Sequence, residues 1–234
     1  MPAKRTSIRF RNQLLQVMSA DDLALLQPNF QPVPCERSKT LESANKKIEA
    51  AYFMEHGIAS VVGGGSREVE IGIIGYEGVT GLPIVYGNHR SPHHTFIQVA
   101  GRANRISAAV LRSALEKSAT LRALLLKYAQ CFHIQSTHTA IANARGTIEG
   151  RLARWIVMAQ DRIAEKELPI THEFLSIMLA VRRPGVTEAL HALARRGLIR
   201  HDRGIIVVID RQGLIERANG LYGVPEAEYL RLIG

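Results

Sequence analysis

The sequence predicts an α+β chain: a small antiparallel β-roll, then a long helix, then a helix-turn-helix with a two-stranded wing. Three observations predict it. Between Phe30 and about Ser107, short β-type runs are separated by Gly, Pro, Asn and Ser, the spacing of a small antiparallel roll or barrel. From Ser107 to about Arg145 the residues favour helix, with a break near Lys117-Ser118. From Leu168 to Val208 the chain reads as helix, short turn, helix and hairpin.

Short helices are expected first, over residues 12–26, with Ser19-Ala20-Asp21-Asp22 as a start signal before Leu23, Leu25 and Leu26. The β-type runs are Phe30–Val33, Ala51–Phe53, Ile58–Val62, Glu68–Ile74, Phe96–Val99 and Ala103–Ile106, with Gly63-Gly64-Gly65-Ser66 as a hairpin turn. Along the long helix, Leu121, Leu125, Tyr128, Phe132, Gln135, Thr139 and Ala142 alternate steps of four and three. That period is a coiled-coil seam; it can also be a face packed on the chain's own roll. Arg145-Gly146-Thr147 is a hinge, and Glu149 to Ile163 is the next helix.

In the helix-turn-helix, Thr171 is an N-cap and Glu173 sits in the first turn. Phe174, Leu175, Met178 and Leu179 form one apolar face, and Ala180-Val181-Arg182 is the turn. Pro184 suits the first turn of a new helix, and Val186, Leu190 and Leu193 give it a buried stripe. Gly197 is the stop. Leu198-Ile199 and Ile205–Val208 flank Asp202-Arg203-Gly204, which has hairpin-turn chemistry. Arg211–Ala218 and Pro225–Leu232 read as two terminal helices. The outward face of the second helix carries Arg183, Thr187, Glu188, His191 and Arg195, side chains able to reach base edges or phosphates in a major groove. From Arg182 to Arg203 six arginines face only Glu188 and Asp202, the footprint of a nucleic-acid reader. Read blandly, the same stretch is a helical hairpin with a solvated basic face.

Composition agrees. The chain has 234 residues, 46% hydrophobic and 22% charged, as in soluble globular proteins. A net charge of +9 and a pI near 9.9 favour a polyanionic partner. Two cysteines, Cys35 and Cys131, are too few for a disulfide framework or a four-cysteine metal site. The basic N-terminus (Lys4, Arg5, Arg9, Arg11) is followed by an apolar run too short for a signal peptide, and no stretch is long enough to span a membrane. A cytoplasmic chain is expected.

The segments IEGRLARWI (148–156), ITHEFLSIML and VRRPGVTEALHALARRGLIRHDRGIIVV resemble the C-terminal winged helix of the Crp/Fnr family of bacterial transcription regulators. Upstream, YFMEHGIASVV (52–62), EIGIIGYEGVTGLP (70–83) and Arg90-Ser91 resemble the strands and phosphate loop of that family's cyclic-nucleotide-type roll. The resemblance implies two domains, 1–146 (roll plus a dimerisation helix at about 118–145) and 147–234 (winged helix). It implies double-stranded DNA with a palindromic operator, a second copy of the chain and RNA polymerase as partners. Candidate DNA contacts are Thr171, Arg182, Arg183, Thr187, Glu188, His191, Arg195, Arg196 and Arg203, with Arg196 read as a phosphate contact. Candidate ligand contacts are Gly81, Leu82, Arg90, Ser91, Ser136 and Thr137.

Departures from the family pattern are informative. Cyclic-AMP-binding members hold the ribose with a Gly-Glu pair, whereas Gly81 is followed by Leu82-Pro83, so cyclic AMP is not the expected effector. The family's Glu and Arg of the reading helix correspond to Pro184 and Glu188, which predicts a different half-site. His89, His93 and His94 share a loop and His133 and His138 a helix, at spacings poor for a metal; no cofactor, metal site or catalytic set is expected. The rival reading is a small-molecule-binding module whose winged helix serves protein contact.

Overall fold

The computed structural model describes residues 10–65, 68–163 and 167–234. The basic residues Lys4, Arg5 and Arg9, and Ser66 of the expected hairpin turn, lie outside them.

Helices α1 (Gln13–Val17) and α2 (Ala20–Leu26) open the chain, α2 capped by Ser19, whose hydroxyl accepts from Asp22 N–H at 3.1 Å. A single 3₁₀ turn leads to the roll: β1 (Gln31–Cys35), β2 (Thr40–Glu42), β3 (Ala50–Gly63), β4 (Val69–Ile74), a short helix α3 (Leu82–Val85) and β5 (His94–Ser107). The sheet is antiparallel, in the order β1-β5-β3-β4, with β2 also on β5. Here the sequence expectation needs correction. Four of the six β-type runs fuse into two long strands, β3 and β5, and β2 is a strand that period alone did not show. Gly57 (φ 82°) and Gly101 cause the apparent gaps: the β3–β5 register shifts around them, and a Cβ on Gly101 would meet the His56 carbonyl at 2.1 Å.

Two helices follow, α4 (Ala108–Lys117) and α5 (Ala119–Arg145), broken at Ser118 as the sequence predicts. Ser118 caps α5 and also bonds Asp22, tying α5 to α2. The expected seam of α5 lies inside the chain. Leu121, Leu125 and Tyr128 are buried with Phe53, Ile106 and Leu111 of the roll and α4, and Gln135 exchanges two hydrogen bonds with the Ile73 backbone of β4. Roll packing is therefore what that stripe is for. A second stripe, Ala119, Ala123, Leu126, Gln130, His133, Thr137, Ala140 and Ala144, repeats in the same three-and-four steps and is exposed.

The C-terminal unit comprises α6 (Ile148–Ile163), β6 (Glu167–Pro169), α7 (His172–Met178), α8 (Arg183–Arg195), β7 (Ile199–Asp202), β8 (Ile205–Val208), α9 (Arg211–Arg217) and α10 (Val224–Leu232). Its wing has three strands, β6-β8-β7, one more than the sequence suggested. Arg203 (φ 43°) and Gly204 (φ 82°) make the tight hairpin turn. Its core, with Leu152, Ile156, Leu175, Val186, Leu190 and Ile206 buried, continues into Ile58, Ile73 and Val99 of the roll. The two units are thus docked. Trp155 Nε1 donates to the buried Glu70 carboxylate of β4 at 2.8 Å, Arg162 pairs with Glu77 at 2.7 Å, and Phe174 stacks on Phe96 at 5.9 Å. The last helix, α10, returns to α5 and the roll, with Ile233 buried there and Tyr229 donating its hydroxyl to the Glu77 carbonyl.

Candidate nucleic-acid interface

The C-terminal unit is built from local signals that fix its orientation. Thr171 caps α7, accepting from Phe174 N–H at 3.4 Å. Ala180 (φ 49°) turns the chain, and α8 starts with Pro184 in its first turn. Val186, Leu190 and Leu193 bury one face of α8, so the opposite face must look outward. Gly197 (φ 73°) ends the helix and sends the chain into the wing.

On that outward face Arg183, Glu188, His191 and Arg195 are exposed and Thr187 is half-exposed. Arg182 precedes the helix and Arg203 tips the wing, both exposed. These candidates therefore share one side of the unit, carried by α8 and the wing. Two arginines are engaged elsewhere. Arg183 bonds Glu173 of α7 at 3.0 Å, in a pair exposed on both sides, so solvent competes with it. Arg196 donates to Glu149 of α6 at 3.1 Å, and the same carboxylate takes Arg217. Those guanidiniums, Arg217's above all, hold Glu149 below the usual carboxylate range. Arg196 is thus an exposed cation already paired within the chain.

Sequence reasoning also missed a cluster of imidazoles. His172 at the start of α7, His191 on α8 and His201 on β7 converge, with the His201 ring 5.3 Å from His191 and 6.3 Å from His172. Burial, then the neighbouring His191 and His172, push His201 below the ordinary histidine range. The three come from separate elements, so the chain gave no local signal of their meeting. Among the described residues no three His, Cys, Asp or Glu are placed to hold a metal ion.

Residues 150–217 match the Crp-like helix-turn-helix domain. No curated protein matches the sequence. Among solved structures, FixK2 from Bradyrhizobium japonicum is 14% identical, with a TM-score of 0.70 over 80% of this chain and 96% of that one. A Eubacterium rectale protein assigned to the Crp/Fnr family of transcriptional regulators is 15% identical, with a TM-score of 0.69 over 88% and 98% of the two chains. A transcriptional regulator of the CRP family from Thermus thermophilus is 16% identical, with a TM-score of 0.65 over 80% and 97%. The chain has the fold of Crp/Fnr regulators and carries a Crp-like helix-turn-helix domain.

The roll holds a cavity of about 280 Å³ beneath α3. Of the expected ligand residues, Gly81, Leu82, Ser91 and Ser136 line it; Arg90 and Thr137 do not. Thr137 is exposed on α5 and donates to the His133 carbonyl, and Arg90 lies exposed in the loop opposite Lys47. A carboxylate does line the cavity, but it comes from β2 rather than from the position after Gly81. Glu42 is buried and accepts from Gly81 N–H at 2.8 Å. Burial raises its pKa, while hydrogen bonds from Gly81, Thr95 and Thr80 oppose the rise. Glu42 is 39 residues from Gly81, and only the fold of β2 onto β5 brings them together. Neither lysine nor arginine is among the described residues lining the cavity. Cys35 and Cys131 are both free and buried; burial, with Glu228 nearby, raises the Cys131 thiol to about 11, which keeps it protonated and unreactive.

Proposed function

We propose that the chain is a sequence-specific, double-stranded-DNA-binding transcription regulator acting as a two-fold dimer. The observation that carries this is the outward face of α8 and the wing, where Arg182, Arg183, Arg195 and Arg203 stand in solvent around Thr187, Glu188 and His191. Arginines can fork onto guanine or hold phosphates, Glu188 can accept from cytosine N4, and Thr187 can touch a thymine methyl. The division of labour falls at Gly146, with the roll upstream as sensor or scaffold. For the dimer contact we assign the exposed stripe of α5, from Ala119 to Ala144, because the other stripe is already used within the chain. Anisotropy of a labelled mixed-sequence duplex, titrated at rising salt, is the test. Steep loss of affinity with salt is expected from displaced counterions. Salt-independent binding, or none, would favour a winged helix that contacts protein.

Cyclic AMP is not the effector on this reading. Its phosphate would enter a cavity that already contains a buried carboxylate, with no guanidinium among the described residues that line it. Calorimetry should show no binding at physiological cyclic AMP; low-micromolar affinity would reject the assignment.

A further inference from the structure

The reading face carries more than arginines. Its three histidines come from three elements and meet between the reading helix and the wing, with His172 Nδ1 also 3.2 Å from the Thr187 hydroxyl on α8. None is needed to fill the core: His191 is exposed, and His172 and His201 are half-exposed. We propose that the imidazoles of His172, His191 and His201 form a proton-linked contact for the phosphodiester backbone, so that DNA binding draws protons onto the cluster. The inference rests on α8 being the DNA-reading helix.

The charges around the cluster set the sign. On α7 the charged neighbour is Glu173, already paired with Arg183. On α8 there are Arg183, Glu188 and Arg195, and on the wing Arg200, Asp202 and Arg203. Cations outnumber anions, and three imidazoles crowd one another. In the free chain a proton on His201 is therefore disfavoured by burial and by His191 and His172, and only Asp202 opposes this. A phosphate placed over the cluster reverses the balance. It supplies the missing negative charge and accepts charge-assisted hydrogen bonds from imidazolium N–H groups. Bound chain then holds more protons than free chain at the same pH, and by linkage affinity must rise as pH falls. The window runs from the lowered pKa of His201 in the free chain up to its raised value in the complex. Arginines contribute nothing to it, because they stay charged throughout.

Phosphate contacts do not depend on base sequence, so a mixed-sequence duplex is a sufficient probe. Affinity of the full chain is measured by anisotropy at fixed ionic strength at about pH 6, 7 and 8, around the histidine range. Calorimetry in two buffers of different ionisation enthalpy counts the protons taken up. One proton taken up per binding event corresponds to about tenfold tighter binding per pH unit of acidification, and one per protomer of a bound dimer to about a hundredfold. The double variant His172→Gln/His201→Gln should lose most of this pH slope while keeping its salt slope at alkaline pH. His191→Gln alters only an exposed side chain, so it guards against a folding artefact; it should lower the proton count by itself. A wild type that takes up no protons, or variants with an unchanged pH slope, would overturn the proposal. A wild type that fails to bind the duplex at every pH would instead reject the DNA-binding reading beneath it.

Discussion

The roll and the winged helix handle charge in opposite ways. The amino-terminal half buries acids: Asp22, Glu42, Glu55 and Glu70 are all below a tenth exposed, each held by hydrogen bonds from backbone or side-chain donors. The C-terminal unit leaves the arginines of α8 and the wing in water. Among the described residues only Arg154 and Arg162 are buried cations, and both lie on α6 at the junction of the two units. Buried acids are hidden from an approaching ligand, whereas exposed guanidiniums are not. The surface presented to a polyanion is thus more basic than the formal charge of +9 implies. Net charge is a weak guide until it is known which charges the fold consumes.

The sharpest contrast within one element is on α5, and it yields the largest expected effect. Leu125 is fully buried against the roll and Leu126 is 44% exposed. Leu125→Glu should cost the chain at least about 3 kcal/mol, because an unpaired carboxylate replaces a packed side chain. Leu126→Glu should leave the unfolding midpoint nearly unchanged but convert dimer to monomer. Thermal unfolding and light scattering on both variants decide it. A stable Leu125→Glu monomer would mean the faces are assigned the wrong way round.

Next comes the junction. Glu70 is buried, and burial raises its pKa to about 7, against opposition from Ser60, Trp155 and two arginines. Its folded pKa lies above its unfolded value, so the folded chain binds the extra proton between the two. Stability from this group is present in full below the unfolded pKa, near 4.5, and is lost as pH rises towards about 7. The unfolding free energy of the wild type, from denaturant melts, should therefore fall across that window relative to Glu70→Gln, by up to about 3 kcal/mol. Parallel pH curves for the two proteins would show that Glu70 is not perturbed. The smallest effect belongs to Glu173, paired with Arg183 in the open. Glu173→Gln should shift stability by no more than about 0.5 kcal/mol. It should leave DNA affinity equal or tighter, by freeing Arg183; a clear loss of affinity would show that Glu173 positions Arg183.

Legibility followed the range of the interactions. Thr171, Pro184, Val186, Leu190 and Gly197 act within one or two helical turns, and each does in the structure what its residue type predicts. The break at Ser118 and the cap at Ser19 belong to the same class. The roll was legible in outline only. Its long strands are interrupted by glycine irregularities that mimic strand ends, and β2 and β6 exist only because a distant partner pairs with them. The two stripes of α5 share one period, so spacing could not say which faces inward. Glu42 and the histidine cluster are products of tertiary contact, with no pattern of their own along the chain. Helix α10 was visible as a helix, but not its return to α5, which rests on Tyr229 and Ile233 meeting residues far away in the chain.

The central proposal, that the outward face of α8 reads DNA as part of a two-fold dimer, is tested most directly by selection of the full chain against a random duplex pool. Glu188→Ala is run in parallel. The expected result is an enriched palindrome with half-sites about one helical turn apart, different from the usual family half-site because Pro184 and Glu188 stand in the reading positions. Glu188→Ala should relax preference at one base pair per half-site by about 1–3 kcal/mol. Recovery of the usual half-site, an identical motif from Glu188→Ala, or no enriched sequence would contradict the proposal.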